Sequence, residues 1–65
     1  MSIRFMKPLK SDIQLHTAKL DQEPILVFNS YELVGSGSIE EITEYSVKVR
    51  GNRYFKGVHT FKYAQ

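Results

Sequence analysis

The side chains that could do chemistry gather in the last third of this chain. Lys48, Arg50, Arg53, Lys56 and Lys62 stand there without an acid among them, and Tyr45 and Tyr54 are interleaved with them. Lysine and arginine neutralise phosphates and release counterions, which gives affinity without sequence reading. Tyrosines beside them offer flat faces on which unpaired bases stack, worth about 1 to 3 kcal/mol per base. Together they describe a surface suited to single-stranded RNA or another single-stranded nucleic acid. Solvated sheets of other function carry bases at similar density, so the set is not specific by itself.

The groups needed for catalysis are scattered. There is no cysteine, and His16, His59, Asp12, Asp21 and the glutamates have no spacing of a triad, a metal site or a phosphate loop. Glu40, Glu41 and Glu44 lack the Asn, Asp and Gly turn ligands of a calcium loop and read as a solvated acidic edge. His59 falls on the apolar side of its run and reads as a half-buried packing residue. The expectation is a protein that is not an enzyme and needs neither metal nor cofactor.

Charge is segregated along the chain although its net value is only +2. Arg4, Lys7, Lys10 and Lys19 face Asp12 alone in the first 19 residues. Residues 20–44 hold Asp21, Glu23, Glu32, Glu40, Glu41 and Glu44 with no base, and the basic third follows. Two readings stand side by side: acidic and basic strands that neutralise each other across a sheet, or a basic face that meets a polyanion.

Sixty-five residues make one domain with a thin core. Without a disulfide or a structural zinc, self-association is the remaining common staple. Residues 1–65 are therefore expected to form a single β-rich domain and a homo-oligomer. No apolar run approaches the roughly 18 residues of a membrane span, and no signal-peptide pattern follows Met1. A soluble, cytoplasmic protein without a membrane partner is expected.

The elements that position the basic residues follow from periodicity. Ile3 and Phe5 alternate with Ser2 and Arg4, which fits an arm or edge strand over residues 1–10, limited by Pro8. Ser11-Asp12-Ile13-Gln14 fits a capping box, and Leu15, Ala18 and Lys19 follow at helical spacing. Ile13, Leu15 and Thr17 also alternate as a strand would. A short helix is preferred, ended by Gln22-Glu23-Pro24. Ile25-Leu26-Val27-Phe28 reads as a buried strand, Asn29-Ser30 as a tight connection, and Tyr31-Glu32-Leu33-Val34 as the next strand. Gly35-Ser36-Gly37 falls where that strand must curve sharply, and Ser38-Ile39-Glu40-Glu41-Ile42 resumes it.

Glu44 to Lys56 reads as a β-hairpin. A two-residue loop at Gly51-Asn52 sets Val47 against Lys56 and brings a lysine into the core. A three-residue loop, Gly51-Asn52-Arg53, pairs Val49 with Phe55, Val47 with Gly57 and Tyr45 with His59. The second register places Phe55, Gly57, His59, Phe61 and Tyr63 on the inner face. Lys48, Arg50, Tyr54, Lys56 and Lys62 then share the outer one.

These residues resemble the Sm-like family, and in particular its bacterial Hfq-type RNA chaperones. Ser11-Asp12, Leu15 and Pro24-Ile25-Leu26-Val27-Phe28 fall in the order of that family's helix and first strand. Tyr31-Glu32-Leu33-Val34-Gly35 is similar to the Leu-x-Gly end of its second strand. Glu41 to Val49 resembles its Gly-Phe-Asp-x-Phe-x-Val-x-Leu stretch, and Phe55-Lys56-Gly57-Val58-His59-Thr60 part of its closing Tyr-Lys-His-Ala-Ile-Ser-Thr. The Asn-Gly hairpin turn is missing, Ser11 replaces the glutamine of the Gln-Asp pair, and Gly57 replaces the histidine after the lysine. The resemblance implies a short N-terminal helix and five strongly bent antiparallel strands forming a small Sm-like or SH3-like barrel. It also implies a ring of about six subunits that binds RNA. Position by position, Asp12, Tyr45 and Lys56 match groups that the family uses near RNA.

The expected function is thus a non-catalytic, self-associating nucleic-acid-binding protein. Lys48, Arg50, Arg53, Lys56 and Lys62 contact phosphates and Tyr45 or Tyr54 stacks on bases. The alternative is a small protein-interaction module, for instance a phage or accessory protein that docks on a host protein through an exposed strand edge or its acidic middle.

Overall fold

A computed structural model describes residues 5–65. Ser2, Ile3 and Arg4 of the expected N-terminal arm lie outside the described residues.

Helix α1, Asp12–Leu20, is closed at both ends by its own sequence. The Gln14 amide donates to Ser11 Oγ at 3.2 Å, and Gln14 Oε1 accepts from the Ser11 amide at 3.2 Å. This is the capping box legible in Ser11-Asp12-Ile13-Gln14. At the other end Gln22 takes a left-handed φ of 54°. The Gln22 amide then donates to the Lys19 carbonyl and the Glu23 amide to that of Ala18, a Schellman closure with glutamine in the place glycine usually takes. Leu15 and Ala18 are the buried face of the helix.

Five antiparallel strands follow: β1 Pro24–Asn29, β2 Glu32–Ile42, β3 Ser46–Val49, β4 Asn52–Phe55 and β5 His59–Tyr63. Their order across the sheet is β4-β3-β2-β1-β5. The sheet is not closed, since β4 and β5 are not neighbours in it. Strand β2 runs unbroken through Gly35-Ser36-Gly37; residues 32–38 pair with β1, and residues 39–42 with β3. Register shifts at Val27/Phe28 and Ile39/Glu41 mark where it changes course. The two glycines leave room for the hairpin above them. A Cβ on Gly35 falls 2.3 Å from Tyr54 Oη, and one on Gly37, whose φ is +138°, falls 2.8 Å from Arg50 Nε.

The core is Leu9, Leu15, Ala18, Ile25, Val27, Ile39, Val47, Val49 and Phe61, with Ile42, Tyr54 and Tyr63 packed against it. Leu9 reaches it because residues 6–9 run beside β5. The Met6 amide donates to the Tyr63 carbonyl (2.8 Å), the Tyr63 amide to that of Lys7 (3.0 Å) and the Leu9 amide to that of Phe61 (2.7 Å). This segment forms no strand of its own and meets β5 through these bonds and one isolated bridge, Pro8 opposite Lys62. Among the described residues no helix is long and apolar enough to cross a membrane.

The β3–β4 hairpin differs from both registers drawn from the sequence. Its turn is Arg50-Gly51, with φ of 50° and 80°, the two left-handed residues of a type I′ turn. Val49 therefore faces Asn52, Lys48 faces Arg53, Val47 faces Tyr54 and Ser46 faces Phe55. The slip reverses β4. Tyr54, expected outside, is half-buried against the core, while Phe55, expected inside, is 56% exposed. Arginine is tolerated in the turn because Glu40 Oε1 accepts from the Gly51 amide at 3.1 Å and the Arg50 stem lies over Gly37. The first hairpin likewise turns at Ser30-Tyr31, one residue later than expected, and Tyr31 is fully exposed rather than in a strand.

Candidate nucleic-acid interface

The five bases of the last third do not share one face. Arg53 Nη2 donates to Glu41 Oε1 at 2.7 Å and Nη1 to Ser46 Oγ at 3.1 Å. Lys48 faces Glu41 on β2 and Arg53 on β4, and Arg50 folds back over Gly37. Lys62 lies across the sheet on β5, its Nζ 5.2 Å from the centre of the Phe28 ring. Between the acidic middle and the bases of β3 and β4, Arg53 and Glu41 form an ion pair at 2.7 Å.

Lys56 is different. Its Nζ donates to Asp12 Oδ1 at 2.9 Å, a contact between residues 44 positions apart. The pair sits on an open cleft of about 280 Å³, near the lower bound of ligand-binding sites. Leu9, Leu15 and Phe61 form its apolar floor, and Lys10, Asp12, Lys56, His59 and Thr60 its polar rim. Each rim residue has a local reason to be there. The capping box starts the helix at Asp12 and orders Lys10, whose amide donates to Gln14 Oε1 at 2.8 Å. The turn after β4 lifts Lys56 toward the helix, fixed by its amide bond to the Tyr45 carbonyl at 2.8 Å.

His59 packs edge-on against the Tyr54 ring at 5.2 Å, and its Nδ1 lies 3.1 Å from the Phe55 carbonyl. A carbonyl only accepts, so Nδ1 carries a proton, and in the neutral ring Nε2 is the acceptor. The residue is half-buried, as read from the sequence.

The Lys56 ammonium, by hydrogen bond and by charge, holds the Asp12 carboxyl below its ordinary value; His16 adds to this and desolvation opposes it. Arg53 does the same for Glu41, with a smaller contribution from Lys48. Both carboxylates are ionised at neutral pH and available as acceptors. Among the described residues no three histidine or acidic side chains gather as a metal site.

Asp12 and Lys56 are thus brought together on one cleft, and Tyr45 is not among the residues that line it. Tyr45 is exposed, and its carbonyl accepts from the Lys56 amide at 2.8 Å. Lys10, Thr60 and the apolar floor were missed in the sequence. Lys10 precedes the capping box directly, which was the available signal. Comparison with family models, with curated proteins and with solved structures finds no match for this chain.

Proposed function

We propose that this chain is a non-catalytic nucleic-acid-binding protein that takes single-stranded RNA at the cleft between α1 and β5, with Sm-like curvature of its sheet. The observation that carries the reading is the meeting of Asp12 and Lys56 at 2.9 Å on a cleft rimmed by Lys10, His59 and Thr60. Lys10 and Lys56 supply the positive charge that phosphates need. Asp12 and His59 Nε2 accept from base N–H groups, and the exposed Tyr45 and Phe55 rings offer stacking faces. The resemblance to Hfq-type proteins supports the same assignment, since Asp12, Tyr45 and Lys56 are the positions it carries over. It is fold-level analogy, and the cleft chemistry stands beside it.

The site moves from the basic sheet face to the cleft. Lys48, Arg50, Arg53, Lys62 and Tyr54 become peripheral, because none of them lines the cleft. The test is fluorescence anisotropy with oligouridine and oligoadenine at low salt. Salt-dependent binding that Lys10→Glu and Lys56→Glu weaken supports the proposal, and no binding of either oligonucleotide refutes it.

A further inference from the structure

The two edges of the sheet are not equivalent. The outer side of β5 is occupied by residues 6–9 of the same chain, through the bonds between Met6 and Tyr63, Lys7 and Tyr63, and Leu9 and Phe61. Strand β4 ends the sheet on the other side with no strand beyond it among the described residues. The Lys56 amide bonds to the Tyr45 carbonyl, continuing the β3–β4 pairing. Because antiparallel residues alternate in direction, Asn52, Tyr54 and Lys56 address β3, while Arg53 and Phe55 turn their amides outward. The Phe55 carbonyl is already engaged by the Val58 amide and His59 Nδ1. The outward groups are thus the Arg53 N–H and C=O and the Phe55 N–H.

We infer that this edge is a homodimer surface, on which β4 of a second copy pairs antiparallel across a two-fold axis. Head-to-tail assembly needs two different edges, β4 of one copy and β5 of the next, and the second is taken. Two identical open edges can pair only isologously. A two-fold axis perpendicular to the sheet keeps inner and outer faces aligned only when the facing residue numbers share parity. Centring it on Arg53 lets the Arg53 N–H and C=O of each copy meet those of the other. It also sets Phe55 opposite Gly51 of the second copy, where no atom stands within 4 Å of an added Cβ. Gly51 is the second residue of the turn and carries no side chain, so it leaves space for the exposed Phe55 ring. Two arginines then face each other, and like charges directly opposite are destabilising. Here each is bonded in its own chain to Glu41 at 2.7 Å, so the charge that forbids the pairing is already compensated. The inference does not depend on nucleic-acid binding.

The test is sedimentation equilibrium of the full chain over a concentration series, with amide exchange by NMR. The expected result is a 15 kDa species, twice 7.5 kDa, in reversible equilibrium with monomer. Protection of the Arg53 and Phe55 amides rises with concentration, and that of the Tyr63 amide does not change. Phe55→Lys, on an exposed side chain, weakens association at least ten-fold with an unchanged circular-dichroism spectrum. Glu41→Gln also weakens it, and added salt reduces that loss. A 7.5 kDa species at every concentration up to the millimolar range overturns the inference and leaves the edge to a foreign strand. So does an assembly of more than two copies, or one indifferent to both substitutions.

Discussion

Asp12 at the first turn of α1 and Lys56 just beyond β4 are joined across the fold by a 2.9 Å hydrogen-bonded ion pair. The Lys56 side chain is 19% exposed and that of Asp12 67%. The contact ties the helix N-terminus to the far hairpin and places a cation and an anion side by side on an open cleft. Exposed pairs contribute little to stability, so its interest lies in what it positions.

Acid should weaken the fold through two identified carboxyls. Asp12 and Glu41 both have folded-state pKa values below their ordinary ones. The native state therefore binds fewer protons than the unfolded chain, and stability rises with pH in this range. The contribution is complete above the unfolded values near about 4 and disappears as pH falls through the lower folded values. Urea unfolding at pH values on either side of that range measures it. The double variant Asp12→Asn, Glu41→Gln should show a flatter profile there, and an unchanged slope contradicts the assignment.

Ser11→Ala removes one half of the capping box, because the Gln14 amide loses its acceptor at the start of α1. Loss of such a cap costs about 1 kcal/mol, which lowers the Tm of a domain this size by roughly 4–8 °C. Thermal denaturation followed by circular dichroism checks it. Ser11→Asp, which retains an acceptor, should recover most of the loss.

Gly37→Ala and Gly57→Ala should separate. At Gly37 the φ of +138° is strained for any L side chain, and the new Cβ meets Arg50. Such strain costs on the order of 1–3 kcal/mol. Nothing stands within 4 Å of a Cβ at Gly57, and a surface change there stays within about 0.5 kcal/mol. Equal midpoints for the two variants in urea would contradict the account of how β2 passes beneath the hairpin.

Several elements were legible because local chemistry decides them. Ser11 and Gln14 state a helix start, Pro24 ends what precedes it, and the apolar run from Ile25 to Phe28 is a strand with Ile25 and Val27 buried. The antiparallel five-strand sheet with one short helix follows from the same signals. The β3–β4 register was not legible, because the sequence points to Gly51-Asn52 as the turn. The actual turn puts Arg50 in a left-handed conformation that only distant partners, Glu40 and Gly37, make acceptable. That single step exchanged Tyr54 and Phe55 between faces. The same limit hid the cleft. Asp12 and Lys56 could be named one by one, yet nothing local joins Lys10 and Asp12 to a rim shared with His59 and Thr60.

The most direct measurement is anisotropy of a labelled oligouridine titrated with the wild-type chain and with two charge-matched double variants. One, Lys10→Glu with Lys56→Glu, alters the cleft; the other, Lys19→Glu with Lys62→Glu, alters bases outside it. Salt-dependent binding by the wild type, lost at least ten-fold in the cleft variant and largely kept in the other, is the predicted result. No binding by the wild type at low salt, or an equal loss in both variants, contradicts a nucleic-acid site between α1 and β5.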